Sequence, residues 1–252
     1  KLFQSLDFTS NYIRHFFNPS LRPLIFSTLQ RYMTMSGVSL SMIAQFCLYI
    51  FSYAIYNHDD MFHQLMTDLL ACLEDAIVHN PEIVKELSVI TPAILSFFLH
   101  FPTKELLKNT LNFLLLVSFN TNNFSFSHDE MLSLGNTIRT MDSDGLSEKN
   151  FSIILSLLAG TKISNMSQNF TIKNPSFILL VLYVSADDIS QSIQFFYRLC
   201  QYSIFNCVQC HKGNLDLFLI ELIRNYPNPF KFFDSTFNSS FTHQDLLNVV
   251  IQ

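Results

Sequence analysis

Apolar residues recur along this chain at steps of three and four, and clean two-residue alternation is scarce. That period belongs to amphipathic helices rather than half-buried strands. It predicts an all-α chain of short helices joined by turns. The predicted helices cover 3–17, 21–34, 38–56, 60–79, 82–89, 92–100, 104–119, 128–140, 147–159, 176–184, 188–211, 215–225 and 242–251. Two polar stretches, near 161–174 and 227–241, predict loops.

Turn chemistry supports these boundaries. In "NPEIVKELS", Asn80 suits an N-cap, Pro81 the first helical position and Glu82 the first turn. Ser127 and Glu130 stand at capping-box spacing, as do Ser185 and Asp188. In "HKGN", Gly213 follows one helix and Asn214 precedes the next.

A weak repeat runs through the pattern. "ITPAILSFFLHFP" (90–102) and "LDLFLIELIRNYP" (215–227) share an apolar spacing that ends in an aromatic residue and a Pro. Each reads as a short, broadly buried helix stopped by Pro. One is followed by a longer helix and the other is preceded by one, the arrangement of an α-solenoid. The stripe Leu215, Phe218, Leu219 and Leu222 is expected to face the long helix 188–211. No linker or low-complexity segment interrupts 1–252, so the expectation is one helical repeat region with no internal domain boundary.

"HKGNLDLFLIELI" resembles the armadillo phrase in which a Gly-containing turn opens a short apolar helix, and "SVITPAILSFFL" resembles it without the Gly. The longer run "YSIFNCVQCHKGNLDLFLIELIRNYPNPF" resembles the armadillo-like region upstream of the BEACH module in large BEACH-domain proteins, the neurobeachin-like group. The match covers 188–230, and the rest agrees as helical pairs. The resemblance implies a right-handed superhelix of stacked helices. It also implies cytoplasmic scaffolding in vesicle traffic or membrane organisation, with any peripheral membrane association made through a full-length protein.

Composition narrows the classes. Hydrophobic residues make up 49% and charged residues 14%, with 27 Phe and no Trp. An average soluble protein carries roughly 25% charged residues, so wide burial or contact with other parts of a larger molecule is expected. The net charge is −5 and Lys and Arg form no block, which disfavours nucleic acid as a partner. The five glycines are too scattered for a dinucleotide fingerprint or a phosphate loop. Five cysteines are not a secreted disulfide framework. Sequons such as those at Asn123, Asn165, Asn169 and Asn238 are expected by chance in an Asn-, Ser- and Thr-rich chain. Tyr32–Asn57 contains no charged residue or His, yet Ser36, Ser39, Ser41, Gln45 and Ser52 interrupt it. The stripe Ile43, Phe46, Cys47, Ile50, Phe51 and Ala54 marks it as a buried helix rather than a membrane span. Both ends, starting at Lys1 and finishing on an uncapped apolar helix, lead us to expect a piece of a longer polypeptide.

One motif names a chemistry. Cys207, Cys210 and His211 spell C-x-x-C-H, the haem-attachment pattern. Steps of four and three from Ile189 through Ile193, Phe196, Cys200, Ser203, Cys207 and Cys210 put the thiols on one helical stripe. Buried free Cys behaves as a small hydrophobe. A His before a C-terminal Gly suits the helix dipole and can reach the last carbonyls. The expectation is therefore packing plus a cap, with no cofactor. A metal or haem held by Cys207, Cys210 and His211 is the alternative, although a second pair of ligands at matching spacing is missing and Cys47 and Cys72 are isolated in sequence. Asp59 and His63 share a helical face, but Asn57–Asp60 fit a helix start. In "MDSDGLSE", Asp142, Asp144, Gly145 and Glu148 miss the calcium-loop spacing, so a turn is expected. Glu74, Asp75 and Glu221 read as surface acids, and no nucleophile elbow exists. The chain is thus expected to be non-catalytic, binding other proteins or neighbouring domains of its own polypeptide. Another helical-repeat adaptor is the second reading.

Overall fold

The computed structural model describes residues 15–16, 18–34, 41–57, 61–121, 126–141, 147–185 and 189–225. The described residues are helical with no strand. The helices are α1 (Arg22–Thr34), α2 (Ser41–Asn57), α3 (Met61–His79), α4 (Val84–Leu87), α5 (Thr91–His100), α6 (Lys104–Asn120), α7 (His128–Met141), α8 (Glu148–Ala159), α9 (Phe177–Val184), α10 (Ile189–Tyr202), α11 (Ile204–Lys212) and α12 (Leu215–Asn225). The expected helix 242–251 and loop 227–241 lie outside the described residues, as does nearly all of 3–17. The chain forms two compact units, Lys1–Phe124 and Ser125–Gln252.

In the first unit α1 packs on α3 and α3 on α6, while α2 packs on α4 and α5. Phe contributes large rings to a Leu- and Ile-rich core: Phe16, Phe51, Phe97, Phe98 and Phe113 are fully buried. The Phe51 and Phe97 rings meet edge to face, with centroids 6.0 Å apart. The stripe expected on α2 is buried throughout, from Ile43 to Ala54. Pro102 follows α5, and Thr103 caps α6 by accepting from the Leu106 N–H at 3.1 Å. Removing such a cap typically costs about 1 kcal/mol.

The expected helices 82–89 and 92–100 are instead one run, Pro81–His100, in which 3₁₀ turns flank α4 before α5 begins. Asn80 stands before it without capping it; its side-chain amide donates to the Met33 carbonyl at 3.1 Å and ties the turn to α1. By length and composition this run is the one candidate span among the described residues, and half of it is buried inside the unit. Ile83, Val84, Leu87, Ile90, Ile94, Leu95, Phe97 and Phe98 face inward, while Glu82, Lys85 and Glu86 are exposed. That one-sided burial is the pattern of a core helix.

In the second unit α9 is the centre. Its sequence, FILLVLYV, is apolar all round, and Phe177–Leu182 are all buried. A helix without a polar face has to be covered on every side, and α7, α8 and α10 all pack against it. Gly135 lets α7 approach, because a Cβ there would lie 2.6 Å from Tyr183 Cβ. The capping box at the start of α7 forms as expected: Ser127 Oγ accepts from the Glu130 N–H at 3.2 Å, and Glu130 Oε2 accepts from the Ser127 N–H at 2.7 Å. Ser185 closes α9, but Asp188 of the other expected box lies outside the described residues.

Two expectations change here. The stretch 161–174 lacks regular structure, as expected, but it is not a plain polar loop, since Ile163, Phe170, Ile172 and Asn174 are buried. The expected helix 188–211 is two helices. Ser203 adopts extended backbone (φ −154°, ψ 128°) and separates α10 from α11.

Candidate functional site

The break at Ser203 folds the cysteine segment back on itself. Cys200 lies in the last turn of α10, and Cys207 and Cys210 ride on α11. The Sγ atoms of Cys200 and Cys210 lie 3.6 Å apart, in thiol hydrogen-bond contact. The Cys207 thiol donates to the Cys200 carbonyl at 3.7 Å. Cys210 is buried, and Cys200 and Cys207 are half-buried. The three thiols therefore share one elbow rather than one stripe of a single helix.

Their acidities diverge. A Cys210 S–H donating to a Cys200 thiolate holds the Cys200 thiol below its usual value, against the opposing effect of burial, with Cys207 helping. The same contact pushes Cys210 up, and burial adds to it. Burial pushes Cys207 up as well. Cys200 is thus the thiol of the group whose acidity is raised, and residue spacing alone gave it only a packing role.

His211 turns away from the thiols. Its Nδ1 meets Asp216 Oδ2 at 2.9 Å and its side chain is 78% exposed. The expected partner, a helix-end carbonyl, is replaced by a carboxylate in the first turn of α12. The elements of C-x-x-C-H do not converge, and among the described residues no three His, Cys, Asp or Glu side chains form a group fit for a metal ion.

The turn after His211 falls where expected, with Gly213 after α11 and Asn214 before α12. Gly213 has ordinary backbone angles (φ −86°, ψ 10°), and the left-handed residue is Asn214 (φ 61°). Beyond it, α12 packs on α11. Leu215 and Leu219 are buried, Phe218 and Leu222 half-buried. Phe218 meets the Tyr183 ring of α9 edge to face at 6.0 Å.

The polar centre of this unit is Asn206, on the inner side of α11 and fully buried. Its Oδ1 accepts from the Ile172 N–H, and its Nδ2 donates to the Phe170 and Leu199 carbonyls, all at 2.8 Å. Arg198 adds to this strap by donating to Asn169 Oδ1 at 3.1 Å and to the Met166 carbonyl. One side chain thus joins α10, α11 and the 170–172 segment.

Other candidates remain separate. His63 packs its ring against Phe101 with centroids 5.2 Å apart, while Asp59, Asp142, Asp144 and Gly145 lie outside the described residues. Cys47 and Cys72 are buried free thiols. Burial pushes the Cys47 thiol up, with Cys72 adding to it.

Glu74 is not an ordinary surface acid. Its Oε1 is buried without a hydrogen-bond partner, and burial raises its pKa from 4.5 to about 7, against the lowering pull of Lys108. The folded state therefore binds the Glu74 proton more tightly than the unfolded chain. The stability this contributes is complete below 4.5 and is lost as pH rises toward 7. Glu74→Gln should remove this slope. Discounted for partial exposure, the substitution should become more favourable by on the order of 1 kcal/mol between about pH 5 and about pH 8 in urea unfolding. Parallel pH profiles for variant and wild type would show Glu74 to be an ordinary acid.

Comparison of the chain with protein-family models, with curated proteins and with solved structures finds no match.

Proposed function

We propose that this chain is an armadillo-like α-solenoid region that works without catalysis, holding partner proteins or neighbouring domains on its surface. The observation that carries the reading is the outer side of the α10–α11 elbow. There Tyr202 (56% exposed), Ile204 (85%), Phe205 (48%) and Val208 (48%) leave four large apolar side chains in solvent. Apolar side chains grouped in this way mark interaction surfaces, whereas single ones do not. In the first unit the row α1, α3, α6 beside the row α2, α5 supports a solenoid of stacked helices. The resemblance of 188–230 to the helical region preceding BEACH modules supports cytoplasmic partners in vesicle traffic or membrane organisation.

Replacing Ile204 and Phe205 by Asp tests this. The side chains are exposed, so the double variant should keep its helicity and melting temperature. Proteins that co-purify with the wild-type chain should be lost. Recovery of the same proteins by both forms would remove the elbow from any binding role.

A further inference from the structure

Three thiols at one elbow, one of them more acidic than the others, are more than packing requires. We propose that Cys200 is an oxidation site and that peroxide converts it, with Cys210, into an intrachain disulfide across the α10–α11 elbow.

The argument starts from placement. Cys200 Sγ is half-buried at the end of α10, and Cys210 Sγ lies 3.6 Å away on α11. A disulfide needs the sulfurs at about 2 Å, which is a short closure between side chains already in contact. The Cys207 thiol points at a backbone carbonyl instead. Thiolate character and exposure decide which cysteine is oxidised first. Cys200 is half-buried rather than sealed, and the neighbouring S–H favours its charged form, which Cys207 lacks. Cys210 is buried and holds its proton until it is used.

The steps balance. The Cys200 thiolate attacks one peroxide oxygen; an S–O bond forms, the O–O bond breaks, and hydroxide leaves, taking up a proton as water. Cys200 is then a sulfenic acid and the peroxide has accepted two electrons. The Cys210 sulfur attacks Cys200 Sγ; the S–S bond forms, the S–O bond breaks, and the departing hydroxide takes the Cys210 proton as a second water. Two thiols and one hydrogen peroxide give one disulfide and two waters. The cross-link fixes the elbow that carries Asn206 and the exposed Ile204 and Phe205, so oxidation reports on that surface.

The sequence supplies a clean assay. Cleavage after Arg198 and Lys212 releases one peptide, Leu199–Lys212, that contains all three thiols and no others. The intact chain is treated with hydrogen peroxide, and free thiols are blocked with one alkylating reagent. It is then reduced and labelled with a second. Tandem mass spectrometry should place the second label on Cys200 and Cys210 and the first on Cys207, with Cys47 and Cys72 unchanged. Dithiothreitol should reverse the cross-link. Cys207→Ser should retain it, Cys200→Ser should lower its yield by about tenfold or more, and Cys210→Ser should leave a Cys200 sulfenic acid that dimedone traps. The wild-type labelling map needs no variant to fold. A first label on Cys210, a cross-link through Cys207, or peroxide consumption at Cys207 without a disulfide would each overturn the proposal.

Discussion

Asn206→Leu should unfold the second unit more readily by about 3 kcal/mol or more, although Leu keeps the same branched four-atom outline as Asn. The substitution deletes three hydrogen bonds of 2.8 Å in a site sealed from solvent. Leu199 O keeps another donor, the Ser203 N–H at 3.2 Å. The Ile172 N–H and the Phe170 carbonyl lose the partner that Asn206 gave them. Each buried orphan costs about 1–3 kcal/mol, and buried networks lose more than their separate bonds. Hydrogen exchange should speed up first at Ile172 and across the break at Ser203, because Asn206 joins those two places. Asn206→Asp keeps the acceptor for Ile172 but places a charge against two carbonyls, so it should be at least as damaging. Urea midpoints of wild type and both variants check this. A loss under about 1 kcal/mol for Asn206→Leu would mean that the 170–172 segment is held by its apolar contacts alone.

That residue also marks where sequence reading stopped. Helices α1 to α9 follow local signals: apolar period, Ser127 with Glu130, and Pro102 after α5. Nothing local announces the break in 188–211. No Pro or Gly stands near Ser203, and the apolar stripe passes through Cys200, Ser203, Cys207 and Cys210 in register. The break is a tertiary event, in which the chain gives up helix continuity and a buried amide binds a segment over thirty residues upstream. One signal was present: Tyr202, Ile204 and Phe205 crowd large apolar groups around the full circumference, which a single amphipathic helix would not do. The Glu74 environment was equally hidden, since a lone Glu on a helix pattern looks solvated until its neighbours are placed. The C-x-x-C-H spacing falls within the elbow segment, yet it does not describe the thiol contact there. The thiol that approaches Cys210 is Cys200, which lies outside the motif.

Gly213→Ala should cost about 2 kcal/mol for steric reasons rather than conformational ones. The sequence suggests the usual account, a glycine in the left-handed turn after a helix. At φ −86° and ψ 10° Gly213 needs no such freedom, and Asn214 takes the left-handed position. What Gly213 provides is space. A Cβ there would lie 2.5 Å from the Pro175 carbonyl oxygen and 2.5 Å from Ile178 Cδ1. The Ile178 methyl can rotate aside; the Pro175 carbonyl is backbone at the start of α9 and cannot. Overpacking of this kind typically costs about 1–3 kcal/mol. The double variant Gly213→Ala with Ile178→Val distinguishes the two accounts. Trimming Ile178 should recover only a minor part of the loss, because the backbone contact persists, whereas Asn214→Gly should be neutral or mildly stabilising, since Gly accepts φ 61° without strain. Thermal unfolding of the three variants reads the result. If Gly213→Ala were harmless while Asn214→Gly gave a gain, the end of α11 would sit farther from α9 than these contacts require.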